Sequence, residues 1–78
     1  MPTVAEEGQY RFVIYTRENG FEPPHVHVWV GGDDVCRIEL NGGTYIDEPP
    51  PGRWSDVLSA YWRHATAIRS TWDRIHGR

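Results

Sequence analysis

The chain has 78 residues, of which 38% are hydrophobic and 13% aromatic, with four tryptophans and a formal net charge of −3. That length predicts a single domain over 1–78 with one small core, and the aromatic bulk excludes an intrinsically disordered segment. A lone cysteine, Cys36, excludes an intrachain disulfide framework, and no apolar run is long enough for a signal peptide or a membrane span, so a cytoplasmic protein without membrane contact is expected.

Residues 1–9 are polar and acidic and read as a frayed, flexible segment. Tyr10–Thr16, "YRFVIYT", is β-branched and aromatic, the composition of a strand. Arg17–Pro24 reads as a loop from its Glu-Asn-Gly and Pro-Pro content. Pro24 has no N–H to give a ladder, so the next strand starts at His25 and runs to Val30. "GGDD" turns the chain into a strand over Val35–Leu40. "NGG" at 41–43 predicts a type I′ hairpin turn, because Asn-Gly accepts the positive φ angles required. Thr44–Ile46 is a short last strand, and "DEPPPG" is a rigid break.

The remainder predicts one helix, 54–76, with Ser55 as its N-cap and Gly77 at its end. At about 100° per residue, Trp54, Leu58, Tyr61, Ala65, Ile68, Trp72 and Ile75 share one stripe, and Arg63 and Arg74 lie opposite. The fold class is therefore α+β: a small antiparallel sheet of three to four strands, within 10–46, packed on one C-terminal amphipathic helix. All the basic residues are Arg, and charge is split. Residues 1–48 carry three Arg against nine acidic side chains, whereas 49–78 carry five Arg against two Asp. An all-basic nucleic-acid binder is thus disfavoured. Arg63, Arg74 and Arg78 remain a modest candidate phosphate face, for which a solvated helix surface is the commoner explanation.

The stretch "EPPHVHVWV" carries the candidate chemistry. In a strand over His25–Val30, Val26, Val28 and Val30 share one face, and His25, His27 and Trp29 the other. An even loop after Val30 mixes polar and apolar residues on both faces. An odd one, three residues at 31–33, pairs Val28 with Cys36, Val26 with Ile38, His25 with Glu39 and His27 with Arg37. The odd register separates the faces cleanly and is preferred. It places the valines, Cys36 and Ile38 under the helix, and His25, His27 and Glu39 together on an open face.

His-x-His on a strand projects two imidazoles about 7 Å apart on one side, a spacing suited to two ligands of one metal, with Glu39 as the third. No cofactor is the primary expectation, and a divalent metal such as zinc on His25, His27 and Glu39 is the alternative. A second reading makes His25 or His27 a general acid or base oriented by Glu39, as in RNA or phosphoester cleavage. The commoner meaning of such histidines is local hydrogen bonding at a strand start, or contact with a partner. Trp29 and Tyr45 are expected as an apolar patch on the histidine face, and Trp62 as an exposed aromatic off the helix stripe. These three are the candidate partner-binding residues. His64 falls at the stripe margin, and Cys36 reads as core.

The segments "MPTV", "YRFVIYTRENGFEPPHVHV" and "HATAIRSTW", in that order, resemble the small bacterial family catalogued as domain of unknown function 4160. The stretch "NGGTYIDEPPPG" is richer in Gly and Pro than that family's usual connection. The resemblance carries over the motif positions Pro23, Pro24, His25, His27, His64 and Trp72. It implies a sheet-plus-helix protein encoded beside another small protein, in a pair resembling a toxin–antitoxin module. The implied partner is that neighbour's product; self-association is the other expectation, because a domain this small is marginal alone.

Overall fold

The computed structural model describes residues 3–16 and 22–77, so most of the predicted loop at 17–24 and Arg78 lie outside the described residues. Five strands and a helix follow in order: β1 Thr3–Glu7, β2 Tyr10–Val13, β3 His25–Val30, β4 Asp33–Glu39, β5 Tyr45–Asp47 and α1 Trp54–His76. The strands form one antiparallel meander in the order β1-β2-β3-β4-β5. The α+β class holds, with one strand more than expected. The extra strand is β1, in the segment read as frayed. Its acidic residues suggested a loose end, but Val4 and Ala5 pack against the core while Glu6 and Glu7 pair along β2. The strand at Tyr10 ends at Val13, three residues earlier than its β-branched run suggested.

The β3–β4 register is the odd one: His25 faces Glu39, Val26 faces Ile38, His27 faces Arg37 and Val28 faces Cys36. The parity has a different source, however. The loop is only Gly31–Gly32, and the ladder shifts between Val28 and Trp29, where Val35 is the extra residue of a β-bulge. Gly31, at φ 62°, supplies the positive φ of the turn. Pro24 contributes to the sheet in the one way a proline can. Its carbonyl accepts the Leu40 N–H at 2.9 Å.

The β4–β5 connection is not a type I′ turn, since neither Asn41 nor Gly42 has positive φ. The Gly43 N–H instead reaches back to the Glu39 carbonyl at 2.8 Å, with Gly43 at φ 70°. The Trp62 ring lies on Gly43 so closely that a Cβ there would stand 2.1 Å from it, so the helix and this turn were fitted around a missing side chain.

One face of the sheet, carrying Phe12, Val26, Val28, Cys36 and Ile38, is buried under α1, with Phe12 edge-on to Tyr61 at 6.5 Å. The buried side of α1 is Val57, Ala60, Tyr61, Ile68 and Trp72, rotated from the predicted stripe. The helix crosses β1 and β2, and the unforeseen β1 draws Val57 and Ala60 inward while Trp54 stays 51% exposed. Ser55 is not the N-cap. Arg53 holds that position without a side-chain cap, and its guanidinium instead bonds the Tyr10 hydroxyl at 3.3 Å. Gly77 ends the helix in the left-handed region, as predicted.

Candidate functional site

The histidine face is not open. His25 is 1% exposed and His27 8%. The register brings them to the side away from the valines, where the rings join a chain of aromatic contacts. Tyr15 stacks on His27 at 3.8 Å, His27 meets His25 at 5.1 Å, His25 meets Trp72 at 5.6 Å, and Trp72 meets His76 at 3.9 Å. His76 closes the circuit by donating Nε2–H to the Tyr15 carbonyl at 3.0 Å. The C-terminal end of α1 is thereby fastened to the start of β3 and to the segment that follows β2.

Partner atoms place a proton on Nδ1 of each ring. The His25 ring donates Nδ1–H to the Pro23 carbonyl at 2.8 Å, which only an N–H can satisfy. His27 donates Nδ1–H to the Asp34 carboxylate at 2.9 Å, and the Tyr15 hydroxyl donates to the same oxygen at 2.8 Å. Glu39 joins neither histidine. Its carboxylate turns back to the Gly42 N–H at 3.0 Å and closes the β4–β5 loop. Glu39 therefore makes no hydrogen bond, among the described residues, that joins it to His25 or His27. Among the described residues no three His, Cys, Asp or Glu side chains gather where they would hold a metal ion.

Beside His27 is a shallow depression of about 250 Å³, lined by Asp34, Arg37 and Asp47. Arg37 donates Nε–H to Asp47 at 2.6 Å and Nη1–H to Glu22 at 2.9 Å. That guanidinium holds the Glu22 and Asp47 carboxyls below the usual carboxylate range, and they in turn raise Arg37. The depression thus presents more acid than base. Burial pushes the neighbouring Cys36 thiol up to about 12, which fits its reading as core.

His64 belongs elsewhere. It donates Nε2–H to Glu7 at 3.0 Å, and Arg63 grips the same carboxylate through Nε and Nη2. Arg63 holds the Glu7 carboxyl below its ordinary value. This clamp fastens β1 to α1, and it removes Arg63 from the proposed phosphate face.

The three partner-binding candidates separate. Trp29 is half-buried, with an indole N–H that meets no acceptor among the described residues. Tyr45 is not on the histidine face. It opposes Ile38 on the helix side, donates its hydroxyl to the Trp54 carbonyl at 2.7 Å, and meets the Trp54 ring edge-on at 4.7 Å. The Ile46 bulge in β5 causes that reversal. Trp62 is exposed as predicted, at 58%. With Trp54 and half-buried Leu58 it forms an aromatic row along the flank of α1 beside β5.

Residues 10–73 match the family described as Domain of unknown function (DUF4160). The chain belongs to that family. No curated protein and no solved structure matches it. Of the motif positions in this family member, His25, His27 and Trp72 meet in the aromatic circuit, and Pro23 supplies the carbonyl that orients His25. His64 serves the separate β1 clamp. No helix among the described residues is long and apolar enough to cross a membrane.

Proposed function

We propose that this family member is the small cytoplasmic component of a two-gene, toxin–antitoxin-like module, and that it acts by binding a protein partner encoded beside it. The observation that supports this is the α1 flank, where Trp54 and Trp62 are both more than half exposed, whereas among the described residues the other large hydrophobics except Ile46 are buried or half-buried. Exposed tryptophans in a row are typical interface anchors. The contact uses side chains rather than strand addition, because both sheet edges are blunted. β1 carries a bulge and two glutamates, and β5 has three residues, a bulge and the prolines at 49–51 behind it.

A rival reading is a histidine-dependent nuclease or small metallohydrolase, and the His27–Asp34 hydrogen bond favours it. The neighbouring Arg37 is already engaged by Asp47 and Glu22, so a phosphate approaching His27 would meet carboxylates before a cation. The binding reading is therefore preferred. Co-expression with the product of the adjacent gene tests it. The two chains co-purify in the wild type and separate in Trp54→Glu; two chains that never co-purify refute the reading.

A further inference from the structure

The geometry points to a self-modification site in the β4–β5 turn. The Gly42 backbone nitrogen attacks the Asn41 side-chain amide, with Glu39 taking the proton and Arg69 stabilising the oxyanion, and Asn41 becomes aspartate or isoaspartate. This chemistry goes beyond partner binding and does not depend on it.

An asparagine amide and the backbone nitrogen that follows it can close a small ring, so nucleophile and electrophile come from one stretch of chain at high effective concentration. Asn41 and Gly42 are both exposed at the tip of the turn. The Gly43 N–H donates to the Glu39 carbonyl and the Glu39 N–H to the Thr44 carbonyl, each at 2.8 Å, and these bonds hold the turn on either side of the pair. Glu39 Oε1 accepts the Gly42 N–H at 3.0 Å. That N–H carries the proton that must leave as the nitrogen attacks, and a carboxylate at hydrogen-bond distance is placed to take it. Arg69 donates Nη1–H to Asn41 Oδ1 at 2.8 Å. This oxygen gains negative charge as the amide carbon becomes tetrahedral, so the guanidinium stands where charge develops. Arg69 Nε faces Asp73 Oδ1 at 3.2 Å, one helical turn on, which fixes the guanidinium against the turn. Glycine is required at position 42. A Cβ there would stand 2.8 Å from Glu39 Oε1, and a side chain would push the base off the nitrogen.

The bond from Gly42 N to Asn41 Cγ forms, and the N–H proton passes to Glu39. The tetrahedral centre then expels the side-chain nitrogen, which takes the proton from Glu39 and leaves as ammonia. The resulting succinimide is opened by water. Addition at Cγ restores the backbone and gives aspartate; addition at the main-chain carbonyl gives isoaspartate, whose backbone runs through the side-chain carbons. The net change is water in and ammonia out, with no oxidant or reductant. Asn41 lines an open depression with Pro24, Arg69 and Asp73, which gives water access to the ring. In the aspartate form the Arg69 hydrogen bond becomes charge-assisted on both sides, so α1 is held to the β4–β5 turn by an ion pair.

The test follows the purified full chain for days at neutral pH by intact and peptide mass spectrometry, both native and unfolded in urea. The native chain gains the mass of one amide-to-acid conversion, confined to Asn41, and does so faster than the unfolded chain. Glu39→Gln keeps an acceptor but no base, and it slows the native reaction about tenfold or more. In urea, where no turn exists, variant and wild type converge. Arg69→Met slows the native reaction in the same sense, and thermal melting shows that each variant is folded. The sign of the Glu39→Gln effect is decisive, because removing a mere clamp would loosen the turn and speed the reaction. A native chain that converts no faster than the unfolded one overturns the inference. So does a folded Glu39→Gln chain that converts as fast as the wild type or faster. Neither result bears on capture of the neighbour's product, so failure here and failure of the proposed function are read separately.

Discussion

His27 and Tyr15 stack at 3.8 Å between ring centroids, and both donate to one oxygen of Asp34. That shared acceptor makes Asp34, not Glu39, the carboxylate of the His-x-His strand. Asp34→Ala removes the acceptor that these two donors share, one of them on a ring that is nearly buried. A loss of about 1–2 kcal/mol is expected, measured by urea unfolding. Asp34→Asn keeps an acceptor and recovers most of it. If Asp34→Ala were as stable as the wild type, the carboxylate would be no part of the brace.

Gly43 is fixed twice, by its φ of 70° and by the Trp62 ring over it. Gly43→Ala is expected to cost about 1–3 kcal/mol. Only the steric part depends on the indole. Combined with Trp62→Ala, it should therefore cost less than the two single changes together. Strict additivity in the double-mutant cycle would show that the ring does not press on this turn.

Acid should loosen the β1 clamp. The folded pKa of Glu7 lies below its ordinary 4.5 because Arg63, and after it His64, hydrogen-bond the carboxylate. A carboxylate depressed on folding contributes stability that is fully present above pH 4.5 and is lost as pH falls through the lower folded value. Glu22 and Asp47, depressed by Arg37, behave in the same sense. Amide exchange along β1 should rise first below about pH 4.5. Glu7→Gln should remove that pH step for β1, and a step unchanged in this variant would assign it to other groups.

Much of this was legible in the sequence, for identifiable reasons. The limits of β3 and α1 followed from the Pro24 boundary and from Gly77, both backbone constraints that need no tertiary context. The β3–β4 register followed from the segregation of valines from histidines, although a bulge at Val35, not a longer loop, supplies it. Adding one residue in the loop or in the strand shifts the pattern equally, so the sequence does not distinguish them. β1 was missed because its apolar content is only Val4 and Ala5, and the clamp that ties it to α1 joins Glu7 to Arg63 and His64, 56 and 57 residues away. The site was half legible. His25 and His27 were visible as a motif, but their burial depends on Tyr15, Trp72 and His76, which join them only in the fold. Asp34 stood in the "GGDD" turn as a turn residue, and only the bulge brings it to His27.

Cys36 should be inert while the protein is folded. Its thiol is buried and pushed up to about 12, so almost no thiolate is present near pH 8. A thiol reagent at that pH should modify it only at the rate of unfolding, and guanidinium should make labelling immediate. Fast labelling of the native chain would contradict the packing of Val28 on Cys36.

The central claim is that the helix flank, and not the histidine cluster, carries the function. The most direct measurement is the affinity of the purified chain for the product of the adjacent gene, compared among the wild type, Trp62→Glu and His27→Asn, each shown to be folded. The account predicts that Trp62→Glu weakens binding roughly 30-fold or more, as for a central aromatic anchor, and that His27→Asn binds as the wild type does. Binding that is indifferent to Trp62→Glu and lost in His27→Asn would contradict it.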